Sequence, residues 1–208
     1  MLILGQTTIQ AIAQTKRPQT FCNPLDLAYR FQLDSPSRRE AADPTLVRFK
    51  GEYWLFASKS GGYWHSCDLT HWEFIKPTGL PLEDYAPTVA VINGRMIFTA
   101  FNTPAIYSTD DPLKGVWNKV ADLKGYPDPA LFVDDDGRVY LYFGCSSNGG
   151  IQVVELDPQH EFQVVRGPLT CLSADYAHHG WEVAGDENRG SPVKMAACKS
   201  PRGSKAHG

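Results

Sequence analysis

Three stretches of the chain alternate apolar and polar residues with a period of two, and each does so twice around a turn. "DPTLVRFKGEYWLFAS" from Asp43, "APTVAVINGRMIFTAF" from Ala86 and "DPALFVDDDGRVYLYFG" from Asp128 share one layout. A proline opens each, a short alternating run follows, a turn falls at Gly51, Gly94 or Gly137, and an aromatic-rich run comes back. Alternation of this kind predicts half-buried β-strands, and a glycine between two such runs predicts a hairpin. Pro44, Pro87 and Pro129 lie 43 and 42 residues apart, so the hairpin belongs to a repeating unit. A further strand follows each hairpin, in "GYWHSCDLTHWEFI", "AIYSTDDPLKGVWNKV" and "GIQVVELDPQHEFQVV", closing near Trp72, Trp117 and Phe162.

Units of ~40–50 residues built from three or four short antiparallel strands are what propeller blades look like in sequence. The 18 glycines and 15 prolines gather at the turns, and with the period-two pattern they exclude helical repeats of similar length. The expected fold is therefore all-β, a β-propeller. About three units are visible where a closed ring needs at least about four blades, so the propeller is expected to be incomplete.

Composition narrows the partners. A net charge of -3 over 208 residues provides no broad basic field, which argues against nucleic acid or an anionic membrane and in favour of a small neutral ligand. No apolar run approaches the ~18 residues of a membrane span. The opening "MLILGQTTIQAIAQ" resembles the end of a secretory signal, with an Ala-x-Ala site at Ala11 to Ala13 but no positive leader. Residues 1–20 are expected to be a signal-peptide remnant or a disordered N-terminus, and the protein to be secreted or periplasmic. Five cysteines (Cys22, Cys67, Cys145, Cys171 and Cys198) are widely spaced with no C-x-x-C pair, so no metal site is assigned from them. An exported protein could form one disulfide, and sequence does not choose the pair.

The candidate chemistry is carboxylate chemistry. Asp134, Asp135, Asp136 and Gly137 sit at a hairpin tip, where Asp and Gly satisfy turn geometry; a calcium loop would spread its ligands over about twelve residues and close on a Glu. Asp128 differs, because it precedes the first strand of its blade at the same register as Asp43. First strands of propeller blades line the central channel, so these two acids are expected to meet at its mouth. Ala86 holds that register in the middle unit, so a blade does not need the acid in order to fold. The alternative is a local cap before proline.

With its Asp-Pro openings at Asp43 and Asp128, the "NPLDL" segment, the "DPALFVDDDGRVYLYFG" blade and the "YWHSCDLTHWE" strand, the chain resembles the five-bladed propellers of glycoside hydrolase family 43. That family contains arabinofuranosidases, xylosidases and arabinanases. The resemblance covers about Phe21 to Asn188 and makes residues 21–188 a partial propeller catalytic domain. It implies an inverting hydrolase of arabinose- or xylose-containing plant polysaccharides, with an oligo- or polysaccharide as partner. Asp43 would be the general base that activates water, and Asp128 the carboxylate that orients the proton donor and raises its pKa. Asp26 is a rival base. Tyr63, Trp64, Phe101 and Tyr126 are candidate substrate-binding walls, against core packing as the alternative. No cofactor is implied, although the full-length family fold can hold a structural calcium.

The chain departs from the family where the proton donor should be, a Glu in a motif resembling W-I-E-G-x-W. Glu182 is the nearest glutamate in frame, and His178 and His179 beside it read as loop residues. From 189 to 208 the character changes to a basic, small-residue tail, "RGSPVKMAACKSPRGSKAHG". This is either a native flexible end or the product of a frameshift. Back-translation of "PRGSKAHG" begun one base earlier permits Pro-Trp-Ile-Glu-Gly-Ala-Trp, which matches the missing motif. A chain with base and modulator but no donor is expected to be inactive or nearly so, since losing a general acid costs ~10²–10⁴ in rate. A non-catalytic carbohydrate-binding propeller is the alternative function.

Overall fold

The computed structural model of the chain describes residue 27 and residues 41–81, 84–144, 150–175, 178–179 and 182. The expected leader, Asp26, the tail from 189 and Cys22, Cys145 and Cys198 lie outside the described residues.

Among the described residues, twelve strands form three four-stranded antiparallel sheets, each a simple meander in chain order. The first contains β1 (Thr45–Phe49), β2 (Glu52–Phe56), β3 (Tyr63–Ser66) and β4 (Glu73–Ile75). β5 (Thr88–Ile92), β6 (Arg95–Thr99), β7 (Ala105–Thr109) and β8 (Asn118–Asp122) make the second. The third holds β9 (Ala130–Val133), β10 (Val139–Phe143), β11 (Ile151–Asp157) and β12 (Gln163–Leu172). First strands touch first strands, β1 against β5 and β5 against β9, which is the arrangement of neighbouring propeller blades. Each unit has four strands, the upper of the two numbers expected.

The hairpins form where turn chemistry permits. Lys50-Gly51 and Asn93-Gly94 are two-residue loops with all four residues at positive φ, the mirror-image turn whose twist matches the strands it joins. In the third blade five residues connect Val133 to Val139. There the Asp134 carboxylate accepts from the Asp135 amide at 2.8 Å, and Asp136 accepts from the Arg138 amide at 3.0 Å and its guanidinium at 2.6 Å. These aspartates serve the turn.

The middle blade explains why its strands read as nearly continuous apolar runs. Met96 and Phe98 of β6 face the first blade, in a cluster with Trp54, Phe56, Tyr63 and Trp117. Ile97, between them, faces the third blade and packs with Ile106, Leu141, Val154 and Leu156. A strand covered on both faces has no polar side, and the alternation survives only as a choice of neighbour. At ~25 cal/mol per Å² of apolar area removed from water, these two inter-blade seams hold the described sheets together.

Candidate active site

The three prolines that mark the repeat bring three backbone segments to one place. Asp43-Pro44-Thr45, Ala86-Pro87 and Asp128-Pro129 line a single open cavity of about 270 Å³. That volume lies just under the ~300 Å³ at which small-ligand pockets begin. Asp43, Ala86 and Asp128 all adopt left-handed backbone, at φ of 52°, 44° and 47°. A residue before proline ordinarily stays extended, and left-handed backbone at a residue other than glycine costs about 1–3 kcal/mol. Ala86 adopts it without any carboxylate to reward it. The backbone shape thus belongs to the blade, and the two acids are additions at two of three equivalent positions.

Hydrogen bonds between blades fix these segments. The Thr45 hydroxyl donates to the Pro87 carbonyl at 2.7 Å, and the Leu131 amide donates to the Thr88 hydroxyl at 2.8 Å. Thr45 and Thr88 are the same position in successive blades, and each hydroxyl bonds to the next blade, the first as donor and the second as acceptor. A second repeated contact lies behind the mouth: the amides of Ser58, Phe101 and Gly144 donate to the carbonyls of Ala42, Tyr85 and Pro127 at 2.8, 2.9 and 2.8 Å.

Ser58 is the residue that sequence reasoning missed. Its hydroxyl is fully buried, donates to Asp43 Oδ2 at 2.8 Å and accepts from the Ala86 amide at 2.9 Å. One side chain thereby holds the carboxylate of the first blade and the strained entry to the second. No local motif announces it. The available signal was register, since Ser58, Phe101 and Gly144 are equivalent once the strands are paired.

Asp43 and Asp128 both face the cavity and remain open to solvent. The Asp128 carboxyl is held above the ordinary carboxylate value, first by partial desolvation and second by the negative charge of Asp43. Two acids 85 positions apart in the chain therefore share one electrostatic environment.

None of the four candidate aromatic walls lines this cavity. Tyr63 and Trp64 are buried in the first blade, which corrects the sequence expectation for both. Tyr63 donates to the Pro112 carbonyl at 2.6 Å and accepts from the Trp117 indole at 3.1 Å, and burial pushes its phenol up to about 12. Trp64 meets Phe74 edge to face. A third strand lies away from the channel, so its inward residues reach the neighbouring blade instead. Tyr126 is buried against Phe143, with ring centroids 4.5 Å apart. Phe101 is half-buried at the register of Ser58, behind the mouth.

Glu182 is turned to its own loop, accepting from the Asp175 amide and lying 3.1 Å from His179 Nδ1. His178 pairs with Asp175 at 2.8 Å. Among the described residues this local network occupies the place where a donor was sought.

A family model described as "Glycosyl hydrolases family 43" matches residues 37–182, well over half of the chain. A xylan 1,3-beta-xylosidase from a Vibrio species is 26% identical over 166 residues, which cover 62% of this chain and 31% of that protein. Among solved structures, a thermostable family-43 glycoside hydrolase superposes with a TM-score of 0.54 at 21% identity, covering 75% of this chain and 57% of that one. An alpha-L-arabinofuranosidase from Clostridium thermocellum gives 0.51 at 21% identity, covering 64% and 56%. The chain spans about a third of the length of the curated relative it matches.

Proposed function

From the premise that this chain belongs to glycosyl hydrolase family 43, we propose that it forms the base-bearing side of an inverting glycosidase for arabinose- or xylose-containing polysaccharides. One observation carries the reading: two blades place a carboxylate, and the blade between them an alanine, around one solvent-open cavity. Acids that the blade itself does not require need another purpose, and hydrolysis of a glycosidic bond supplies one.

In this reading Asp43 is the base. It is exposed to solvent, and the Ser58 hydroxyl fixes one of its oxygens, leaving the other to take a proton from an attacking water. Asp128 lies across the same cavity with its carboxyl raised. A neighbouring carboxylate raises the pKa of a second acid in turn, which keeps a proton donor protonated near neutrality. Inversion follows if water attacks from the Asp43 side while the leaving oxygen is protonated from the other. Of the four aromatics only Phe101 keeps part of its surface open, so it is the one that could touch a sugar. The 208 residues alone are proposed to turn over substrate poorly, because Glu182 is committed to its loop and offers no donor at the cavity. An exported location remains part of the proposal, and no cofactor is assigned to these residues.

The test uses nitrophenyl arabinofuranoside and xyloside, with the released sugar read by proton NMR, and oligosaccharide binding read by calorimetry. Pentose oligosaccharides should bind, Asp43→Asn should leave affinity within a few-fold, and any turnover should invert the anomeric centre and fall by ~10²–10⁴ in that variant. Undiminished turnover by Asp43→Asn, or no binding of any pentose oligosaccharide, refutes the reading.

A further inference from the structure

A second set of chemical groups lies at the other end of the first blade. Glu52 opens β2 just after the Lys50-Gly51 turn, and pairing of Tyr53 with Ser66 puts Cys67 opposite Glu52. His65 is two residues before Cys67, so both point to the same sheet face. Glu52 Oε2 lies 3.0 Å from His65 Nε2, Cys67 Sγ 3.8 Å from Glu52 Oε1, and Cys67 Sγ 4.0 Å from His65 Nε2. The ligand atoms of all three fall within 4.8 Å of one another.

We propose that Glu52, His65 and Cys67 form a three-ligand site for a zinc-like divalent cation, with water completing the tetrahedron. A tetrahedral zinc with bonds of ~2.0–2.1 Å to nitrogen and oxygen and ~2.3 Å to sulfur sets its ligand atoms about 3.3–3.7 Å apart. The Oε2–Nε2 and Sγ–Nε2 separations bracket that range; Glu52 meets Cys67 through its other oxygen, so with one ligand atom from each residue the set lies within 4.8 Å and a rotation of the Glu52 carboxylate draws it together. One thiolate, one imidazole and one carboxylate favour zinc over calcium or magnesium, which take oxygen ligands.

The surroundings fit a prepared site. His65 is buried and its ring lies against Trp54 at a centroid distance of 4.5 Å, which fixes where Nε2 points. Cys67 is exposed, so an ion has an approach from solvent. Asp68, the next acid, is committed elsewhere: its carboxylate accepts from the Thr70 and His71 amides and pairs with the His71 ring. A cysteine ligates as its thiolate, so binding would form the metal–sulfur bond and release the thiol proton to solvent.

β2 runs from Glu52 to Phe56, roughly 13 Å of strand, and Ser58, which holds Asp43, lies two residues beyond its far end. The site is thus separate from the proposed hydrolytic one and stands whether or not that reading does. C-x-x-C spacing rules cannot detect it, because strand pairing assembles it.

Titration of the purified 208-residue chain with Co²⁺ tests the proposal. One equivalent should raise a sulfur-to-cobalt charge-transfer band, and Zn²⁺ should bleach it. Cys67→Ser should abolish the band and weaken zinc binding by at least the ~10–100-fold that loss of an outer-shell partner alone costs. Cys171→Ser should change neither, and circular dichroism should show both variants folded. His65→Gln and Glu52→Gln should weaken zinc binding in the same direction. No band, or a band unchanged in Cys67→Ser, overturns the proposal.

Discussion

Replacing Ser58 by alanine removes one oxygen and should destabilise the chain far more than a surface hydroxyl would. Two hydrogen bonds disappear, and they are not equivalent. The Asp43 carboxylate is exposed, so water takes the place of the lost donor at little net cost. The Ala86 amide is buried, and without the Ser58 oxygen at 2.9 Å it has lost its acceptor. A buried donor left unsatisfied costs about 1–3 kcal/mol. Ala86 also keeps its left-handed backbone at φ 44°, which the Ser58 contact helps to hold, so the strain is not relieved by the loss. The amide decides the sum, and about 2 kcal/mol is expected. For a chain of this length that corresponds to a Tm lower by about 4–8 °C. Urea unfolding followed by tryptophan fluorescence at neutral pH measures it. A change below about 0.5 kcal/mol, the ordinary range for a surface substitution, would show that Ser58 does not tie the first blade to the second.

Tyr63→Phe should cost about 1–3 kcal/mol in the same assay, because the Pro112 carbonyl and the Trp117 indole lose their shared partner inside the seam. The same phenol predicts alkaline sensitivity: its folded pKa of about 12 exceeds the unfolded value near ~10, so stability is lost as pH rises between them, and Tyr63→Phe should remove that loss. Asp128→Asn should stabilise the chain at neutral pH. The folded carboxyl holds its proton to higher pH than the unfolded one, so stability falls as pH rises through that window; asparagine escapes the penalty, and the gain should vanish below the unfolded value of ~3.9. A pH series of urea midpoints checks both signs.

The repeat was legible because its physics is local. A period-two pattern, a proline and a turn glycine sit within a few residues of one another, and they predicted the hairpins of all three blades. Asp43 and Asp128 were legible as a pair for the same reason, since equal register in equivalent units becomes proximity when blades fan around an axis. What failed to read out depends on pairing between strands. Tyr63 and Trp64 look like sugar platforms until β3 is placed third in its sheet, where their faces belong to β4 and the next blade. Ser58 is an unremarkable serine until its register beside Asp43 and Ala86 is known. Left-handed backbone before proline runs against the ordinary preference of the dipeptide, so no local rule would have predicted it at three positions.

Asp43 and Asp128 share one cavity, and the titration of Asp128 reads that directly. Carbon-detected NMR of the aspartate side chains should give Asp128 a midpoint above the ordinary ~3.9. In Asp43→Asn the midpoint should move down while staying above the ordinary value, because the neighbouring charge is gone and the partial desolvation remains. An Asp128 midpoint identical in the two proteins would mean that the carboxylates do not sense each other, and would contradict the shared site.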